Sequence, residues 1–367
     1  MNTPLNLGFA LEHSLGHTTH AQNLKRVLQD RPDIAPTYVD LPYDGLTGAW
    51  TRLPGVRSNW SLRASLGAWL GLRGQVGRLD AALFHTQVTA LFSAGLMRRM
   101  PSVISLDATP LQYDALGAFY GHAPSGNARL EALKKRLNQR AFQSARHLVA
   151  WSQWAKDSLI ADYGVPAGKI TVIPPGIDTA RWDFDRSARR SGPVNLLFVG
   201  GDFARKGGDT LLEAFARLPA SLDVHLHVVT KTRGVGESLP NVTVWHDVAP
   251  NSEPLLKLFA QADLFVFPTR GDCLPLAVME ALASGLPVVT TTVGALPEAV
   301  THGETGWIVP PDDAAALAGA LTALAGDAPL RARLACQARA VGRERFDAAK
   351  NYGRLVETVR SVGTVHA

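Results

Sequence analysis

Acid is missing from one long stretch of this 367-residue chain: between Trp50 and Arg78 there is no Asp or Glu, although five arginines and three tryptophans fall there. Cysteine is scarce as well. Only Cys273 and Cys336 are present, without metal-ligand spacing, which excludes a disulfide framework and suits a reducing compartment. No apolar run is long enough to span a bilayer. Met1 to Ala10 has no basic start ahead of an apolar run, so it reads as the entry to a strand and not as an export signal. A cytoplasmic location is expected. Charged residues make up 19% against 46% hydrophobic ones, which excludes a disordered or fibrous chain and requires a sizeable core.

Single hydrophobic cores stop growing near roughly 250 to 300 residues, so this length calls for two domains. The formal charge is +5, which favours an anionic partner: a nucleotide, a phospholipid surface or a nucleic acid. Besides Trp50 to Arg78, the excess sits in Arg129 to Arg146, with Lys134, Lys135 and Arg136. Neither segment matches a nucleic-acid-binding module, so no nucleic acid is expected as partner.

Short apolar runs alternate with helical patterns through the first half: Leu5 to Ala10, Ala21 to Leu28, Leu79 to His85, Ser102 to Leu106 and His147 to Trp151. A second series comes after them: Val194 to Val199, Leu222 to Val229, Val242 to Trp245, Leu264 to Phe267, Pro287 to Thr290 and Trp307 to Val309. Such alternation predicts α/β domains with parallel sheets covered by helices. Ile173-Pro174-Pro175-Gly176 and the polar stretch Arg186 to Pro193 break it, which places the linker there. The expected domains are 1–180 and 181–350, with a terminal helix 351–367 able to return to the first. Open sheets of this kind bind ligands beyond the carboxyl ends of their strands, so the chemistry is expected in strand-to-helix loops.

The most informative stretch runs from Pro268 to Pro287. It comes after a buried-type strand and opens a helix, and from Leu274 to Val289 its one charged residue is Glu280. A carboxylate in such surroundings is costly unless donors are supplied. The two hydroxyls of a ribose would supply them, and the helix start just before offers free N–H groups to a phosphate. A basic side chain from elsewhere in the fold would also satisfy Glu280.

The second stretch, Leu196 to Thr210, reads as a strand, a glycine-punctuated loop and a helix start near Asp209. Its glycines let backbone approach a ligand, and Arg205 with Lys206 can neutralise charge growing on a departing diphosphate. The spacing fits neither a dinucleotide fingerprint nor a Walker loop.

Together the two stretches resemble the retaining GT-B glycosyltransferases of family 4. Lys206, then Asp272, seven residues, Glu280, and the Gly285-Leu286-Pro287-Val288 run carry the likeness, as does Val172-Ile173-Pro174-Pro175-Gly176-Ile177-Asp178 before the second domain. The resemblance implies two Rossmann-like, doubly wound domains facing a central cleft. It implies that Glu280 binds the ribose, Lys206 the diphosphate, and Asp272 the hydroxyls of the transferred sugar. The backbone of Cys273, Leu274, Pro275 and Leu276 would cap sugar and phosphate. Two departures stand out: Asp272 is one methylene shorter than the family's glutamate, and Gly201 stands where an arginine is frequent, a charge that Arg205 is expected to replace.

In the first domain, Gly16 falls in the loop where the family brings backbone close to the donor phosphates. Asp107, after the strand Ser102 to Leu106, is the candidate polar residue beside the transferring sugar, and His85, ending another strand, is a candidate acceptor contact. Helix capping or hydrogen bonding is an equal alternative for both. The resemblance also implies retention of anomeric configuration, with position and electrostatics in place of a covalent nucleophile. No metal and no cofactor beyond the nucleotide-diphosphate sugar are expected; Asp183-Phe184-Asp185 sits in the polar linker and reads as structural.

Leu62, Leu66, Trp69, Leu70 and Val76 share one face at helical spacing, which predicts a helix packed on the sheet. The sharper reading rests the arginines and tryptophans of Trp50 to Arg78, Arg52, Arg57 and Arg63 among them, on an anionic bilayer at the inner face of the membrane. The expected acceptor is a glycan or a lipid-linked acceptor. Two alternatives stay open: a nucleotide-sugar epimerase of the same two-domain plan, and a non-catalytic subunit that kept the fold.

Overall fold

The computed structural model describes residues 4–364 apart from 15, 47, 49–50, 52–55, 58, 122–125 and 187–191. Arg52 and Trp50 lie outside the described residues. Among those described, the strands form two separate six-stranded sheets, parallel throughout. One compact unit comprises 1–118, 122–176 and 348–367, and the other comprises 119–121 and 177–347.

The first sheet contains β1 (Leu5–His13), β2 (Ile34–Pro42), β3 (Ala81–His85), β4 (Ser102–Leu106), β5 (His147–Ala150) and β6 (Ile170–Val172), in the order β2-β1-β3-β4-β5-β6. Alternate residues of each strand enter different cores. Ala82 and Phe84 pack with Ile104 and Leu148 on one face, while Leu7, Phe9, Leu83 and Val103 pack on the other. That second face is covered by the helix Ala348–Thr364, whose Tyr352, Leu355, Val356 and Val359 recur at helical spacing. β2 carries Pro36, which an edge strand tolerates because its N–H is not needed for the ladder.

The helix Trp60–Arg73 packs on the sheet as expected, with Trp69, and Val76 beyond the helix, partly buried against the core, but its fully buried face is made mainly of small residues. It buries Ala64, Ser65, Gly67, Ala68 and Leu72, leaving Leu62, Leu66, Trp69 and Leu70 half-buried. Small residues allow the closer approach: a Cβ on Gly71 would stand 2.6 Å from Val39 Cγ1. Close packing of small side chains outweighs the larger transfer energy of the leucines, which retain partial cover at the flank.

The second sheet contains β7 (Val194–Val199), β8 (Val224–Val229), β9 (Val242–Trp245), β10 (Leu264–Phe267), β11 (Val288–Thr291) and β12 (Gly306–Val309), ordered β12-β11-β10-β7-β8-β9. From β7 the chain winds outward to β8 and β9, then restarts on the other side with β10. Such a reversal splays the loops after two neighbouring strands and leaves a crevice at their carboxyl ends. Here the neighbours are β7 and β10; in the first sheet they are β1 and β3.

The chain passes from the first unit to the second between Gly176 and Ile177 and returns between Asp347 and Ala348. These points lie a few residues before the expected 180/181 and 350/351. The segment just beyond Gly176 supplies the reason. Trp182 is buried against Phe259 at 4.8 Å between ring centroids, and Arg186 donates to the carbonyls of Ser284, Ala262 and Phe259. Asp183 pairs with Arg339 and Arg343. The polar linker is thereby fastened to the second unit.

Candidate functional site

The loops after β7 and β10 meet through charge. Lys206 Nζ lies 2.5 Å from Asp272 Oδ1, and Arg205 lies 3.3 Å from the same oxygen. Thr269 donates to Oδ2 at 2.7 Å. Arg205 also donates to the Gly271 carbonyl at 2.7 Å and pairs with Asp202 at 3.2 Å. Asp272 is 6% exposed, so this carboxylate is held by two cations and a hydroxyl rather than by water. Burial pushes the Lys206 ammonium below its ordinary value, with Asp272 opposing and Arg205 reinforcing that shift.

Backbone geometry places Lys206. The helix Gly208–Ala216 starts after Gly207, whose φ is +77°, and a Cβ there would come within 1.9 Å of the Pro268 carbonyl oxygen. Only glycine fits between the two loops in this conformation. Arg270 adds a further tie, pairing with Asp312 and donating to the Ala204 carbonyl at 3.0 Å.

Pro275 caps the helix Leu276–Ala283, which has no acid in its first turn. Its opening amides, beginning with Leu276, have no intrahelical acceptor by position. Cys273 and Leu274 are buried beside them, and the Cys273 carbonyl accepts from Ala295 at 2.9 Å. Glu280, one turn further along, is 6% exposed. Among the described residues no side chain or amide donates to its carboxylate, so no basic partner satisfies it. Burial alone pushes its pKa up to about 7. Lys206, Arg205 and Asp272 therefore form one network, and Glu280 stands outside it without a donor.

In the first unit the expected residues gather at the carboxyl edge of β1, β3 and β4. Gly16 opens the helix Gly16–Gln29, and nothing lies within 4 Å of where its Cβ would be. The next residue, His17, reaches Asp107 at 3.7 Å and packs on His85 at 4.9 Å between ring centroids. Burial raises the Asp107 carboxyl, and His17 opposes the rise. His85 departs from the expected acceptor contact: it is fully buried, stacked on His20 at 4.3 Å and on Trp151 at 5.8 Å. Neither of its ring nitrogens has a hydrogen-bond partner.

Sequence reasoning passed over His17, His20 and Trp151, and also Glu12, which accepts hydrogen bonds from Ser14, Trp60 and Thr86. The signal available was the pair His17 and His20, three apart on a helix that starts at the end of β1. Burial holds the His20 pKa down to about 3 and that of His85 well below the ordinary value. A base depressed in the folded state contributes stability above its unfolded pKa near 6.5, and that stability is lost as pH falls. Lowering the pH from 7 to 5 is expected to remove about 2 kcal/mol through His20, read by urea unfolding at each pH. Equal pH slopes for wild type and His20→Phe would reject this account.

Comparison with known proteins adds the family. Residues 16–181 match the model described as Glycosyltransferase Family 4, and residues 193–327 match Glycosyl transferases group 1. Glycogen synthase of Mycobacterium tuberculosis is 34% identical over 203 residues, 52% of this chain and 48% of that protein. The chain thus spans about half the length of the curated relatives it matches. Solved structures align over nearly all of it. Sucrose-phosphate synthase from Thermosynechococcus elongatus has a TM-score of 0.74 at 17% identity, covering 98% of this chain and 100% of that one. Anabaena HepE, solved with UDP, has a TM-score of 0.69 at 18% identity, covering 97% and 100%. At such identities the likeness establishes the fold. With successive family models matching its two halves and GT-B structures matching its fold, the chain belongs to the group 1, family 4 glycosyltransferases of the GT-B fold.

Proposed function

We propose that this protein is a retaining, metal-independent glycosyltransferase that moves a sugar from a nucleotide-diphosphate donor to a glycan or lipid-linked acceptor. One observation carries the reading: two cations converge on a single carboxylate oxygen, one short loop away from a buried glutamate that has no donor among the described residues. A diphosphate has the charge to draw Lys206 and Arg205 from Asp272, and a ribose diol has the paired donors that Glu280 lacks. The opening amides of the helix Leu276–Ala283 lie between them in sequence and suit phosphate oxygens. Anabaena HepE, of the same fold, is solved with UDP.

In this reading the acceptor attacks on the face from which the diphosphate leaves, which gives retention, and Lys206 and Arg205 stabilise the departing charge. The scarcity of cysteine supports a cytoplasmic site of action. No helix among the described residues is long and apolar enough to cross a membrane. Where the acceptor is lipid-linked, the reading includes a peripheral contact at the inner face of the membrane.

Thermal unfolding with UDP, GDP and ADP tests the donor reading. A nucleotide at a hundred times its dissociation constant adds about 2.7 kcal/mol, which moves the melting temperature by several degrees. If none of the three moves it, the donor assignment fails. Incubation with nucleotide sugar alone is expected to yield no epimer.

A further inference from the structure

A cavity of about 470 Å³ opens in the first unit, lined by Leu46, Thr51, Arg57 and Arg63. Its size suits a small ligand or the end of a larger one. It lies beside the start of the helix Trp60–Arg73, whose first turn carries no acid, inside the stretch from Trp50 to Arg78 that contains none.

Some arginines of this protein meet carboxylates, as Arg31 meets Asp33 and Glu357 and Arg339 meets Asp183. Every Asp and Glu of the chain is among the described residues, yet none pairs with Arg57 or Arg63. Arg63 Nε is moreover buried and has no hydrogen-bond partner. A buried guanidinium N–H left unpaired is costly, and no group of the protein offsets that cost at Arg63.

The Arg63 side chain is held in place. Its guanidinium lies over Tyr43 at 5.7 Å and over Trp60 at 5.6 Å, and those two rings pack on each other at 5.1 Å between centroids. A guanidinium confined by two rings has little freedom left to lose when it binds. Trp60 in turn donates to Glu12 at 2.8 Å, and Glu12 accepts from Thr86 at 2.6 Å. The cavity is therefore tied to the carboxyl edge of β1 and β3, where His17 and Asp107 also sit.

We propose that this cavity takes a phosphate group of the acceptor, held by Arg57 and Arg63, with Leu46 beside its less polar part. Two guanidinium forks offer more donors than the two oxygens of a carboxylate use, and they match the three oxygens of a phosphate. The inference rests on the glycosyltransferase reading and narrows it to acidic acceptors. The phosphate belongs either to a soluble phosphorylated sugar or to a lipid head group.

Calorimetry on the full chain with glucose 6-phosphate, and with glucose as the uncharged control, tests the soluble source. Flotation with phosphatidylglycerol vesicles against phosphatidylcholine vesicles tests the lipid source. Arg57→Gln and Arg63→Gln are each expected to weaken anion binding at least tenfold. Arg57 is exposed, so its replacement leaves the fold intact, which the melting temperature checks. Arginine-dependent binding of glucose 6-phosphate assigns a soluble acceptor; arginine-dependent binding of anionic vesicles alone assigns a lipid one. Anion binding that is absent, or unchanged in both variants, overturns the proposal. Nucleotide binding measured on the same samples separates the two readings, since intact nucleotide binding without anion binding rejects the cavity and leaves the donor site standing.

Discussion

Replacing Lys206 with alanine is expected to lower kcat/KM for sugar transfer by at least about a hundredfold, the size seen when a preorganised donor to developing charge is removed. The loss should fall mainly on kcat. Lys206 is placed by the Gly207 turn, so once the diphosphate has drawn it from Asp272 its charge needs little further rearrangement as the bond breaks. Arg205 does not make up the deficit, because its guanidinium is also bound to Asp202 and the Gly271 carbonyl. Steady-state kinetics with a donor chosen from the thermal screen would decide the matter. A loss below threefold would mean that Lys206 only braces Asp272.

Glu280→Gln is expected to have two opposite effects. The pKa of Glu280 is raised to about 7 in the folded protein, so the fold favours the neutral acid. Its contribution to stability is full below the unfolded value near 4.5 and is lost as pH rises through about 7. At pH 8 the glutamine variant should therefore be more stable without ligand, by up to about 3 kcal/mol. Donor binding runs the other way, because only the ionised acid accepts both ribose hydroxyls. Affinity for a nucleotide sugar should rise about tenfold between pH 6 and pH 8 in the wild type, as ionisation through a pKa near 7 dictates. The glutamine variant should bind weakly with no such slope. A nucleotide sugar is the better probe than a free diphosphate, whose own terminal phosphate titrates in this range. Parallel pH profiles for the two proteins would show that Glu280 does not meet the ligand.

Much of this arrangement is legible in the residues alone, and the gaps have physical causes. Glu280 is conspicuous because a lone charge in an apolar helix must be satisfied somehow, and the structure removes the alternative of a basic partner among the described residues. The pairing of Arg205 and Lys206 with Asp272 is not legible there, since it joins loops sixty-six residues apart and depends on β7 lying next to β10. Ile34–Pro42 escapes notice as a strand because two prolines and an aspartate interrupt its apolar pattern, which its place at the edge of the sheet permits. Ile170–Val172, also at an edge, is too short to separate from the proline turn after it. The helix Trp60–Arg73 is read only in part, because Leu62, Leu66 and Leu70 stay half-buried while Ala64, Ser65, Gly67 and Ala68 join Leu72 in the buried face. His85 looks available at a strand end, yet the rings of His17, His20 and Trp151 close over it, brought there by other segments of the chain.

The crossing points of the chain also set an order of assembly during synthesis. Ile177 donates to the Phe346 carbonyl at 2.6 Å, and residues 348–367 belong with the first unit. The first sheet, made before the second, waits for Tyr352, Leu355, Val356 and Val359 to complete a face that Ala21, Leu24 and Leu28 cover in part. At common translation speeds the intervening residues occupy on the order of ten to thirty seconds. Throughout that interval the core that holds Leu7, Phe9 and Leu83 lacks part of its cover, so the earlier of the two units is sealed after the later one.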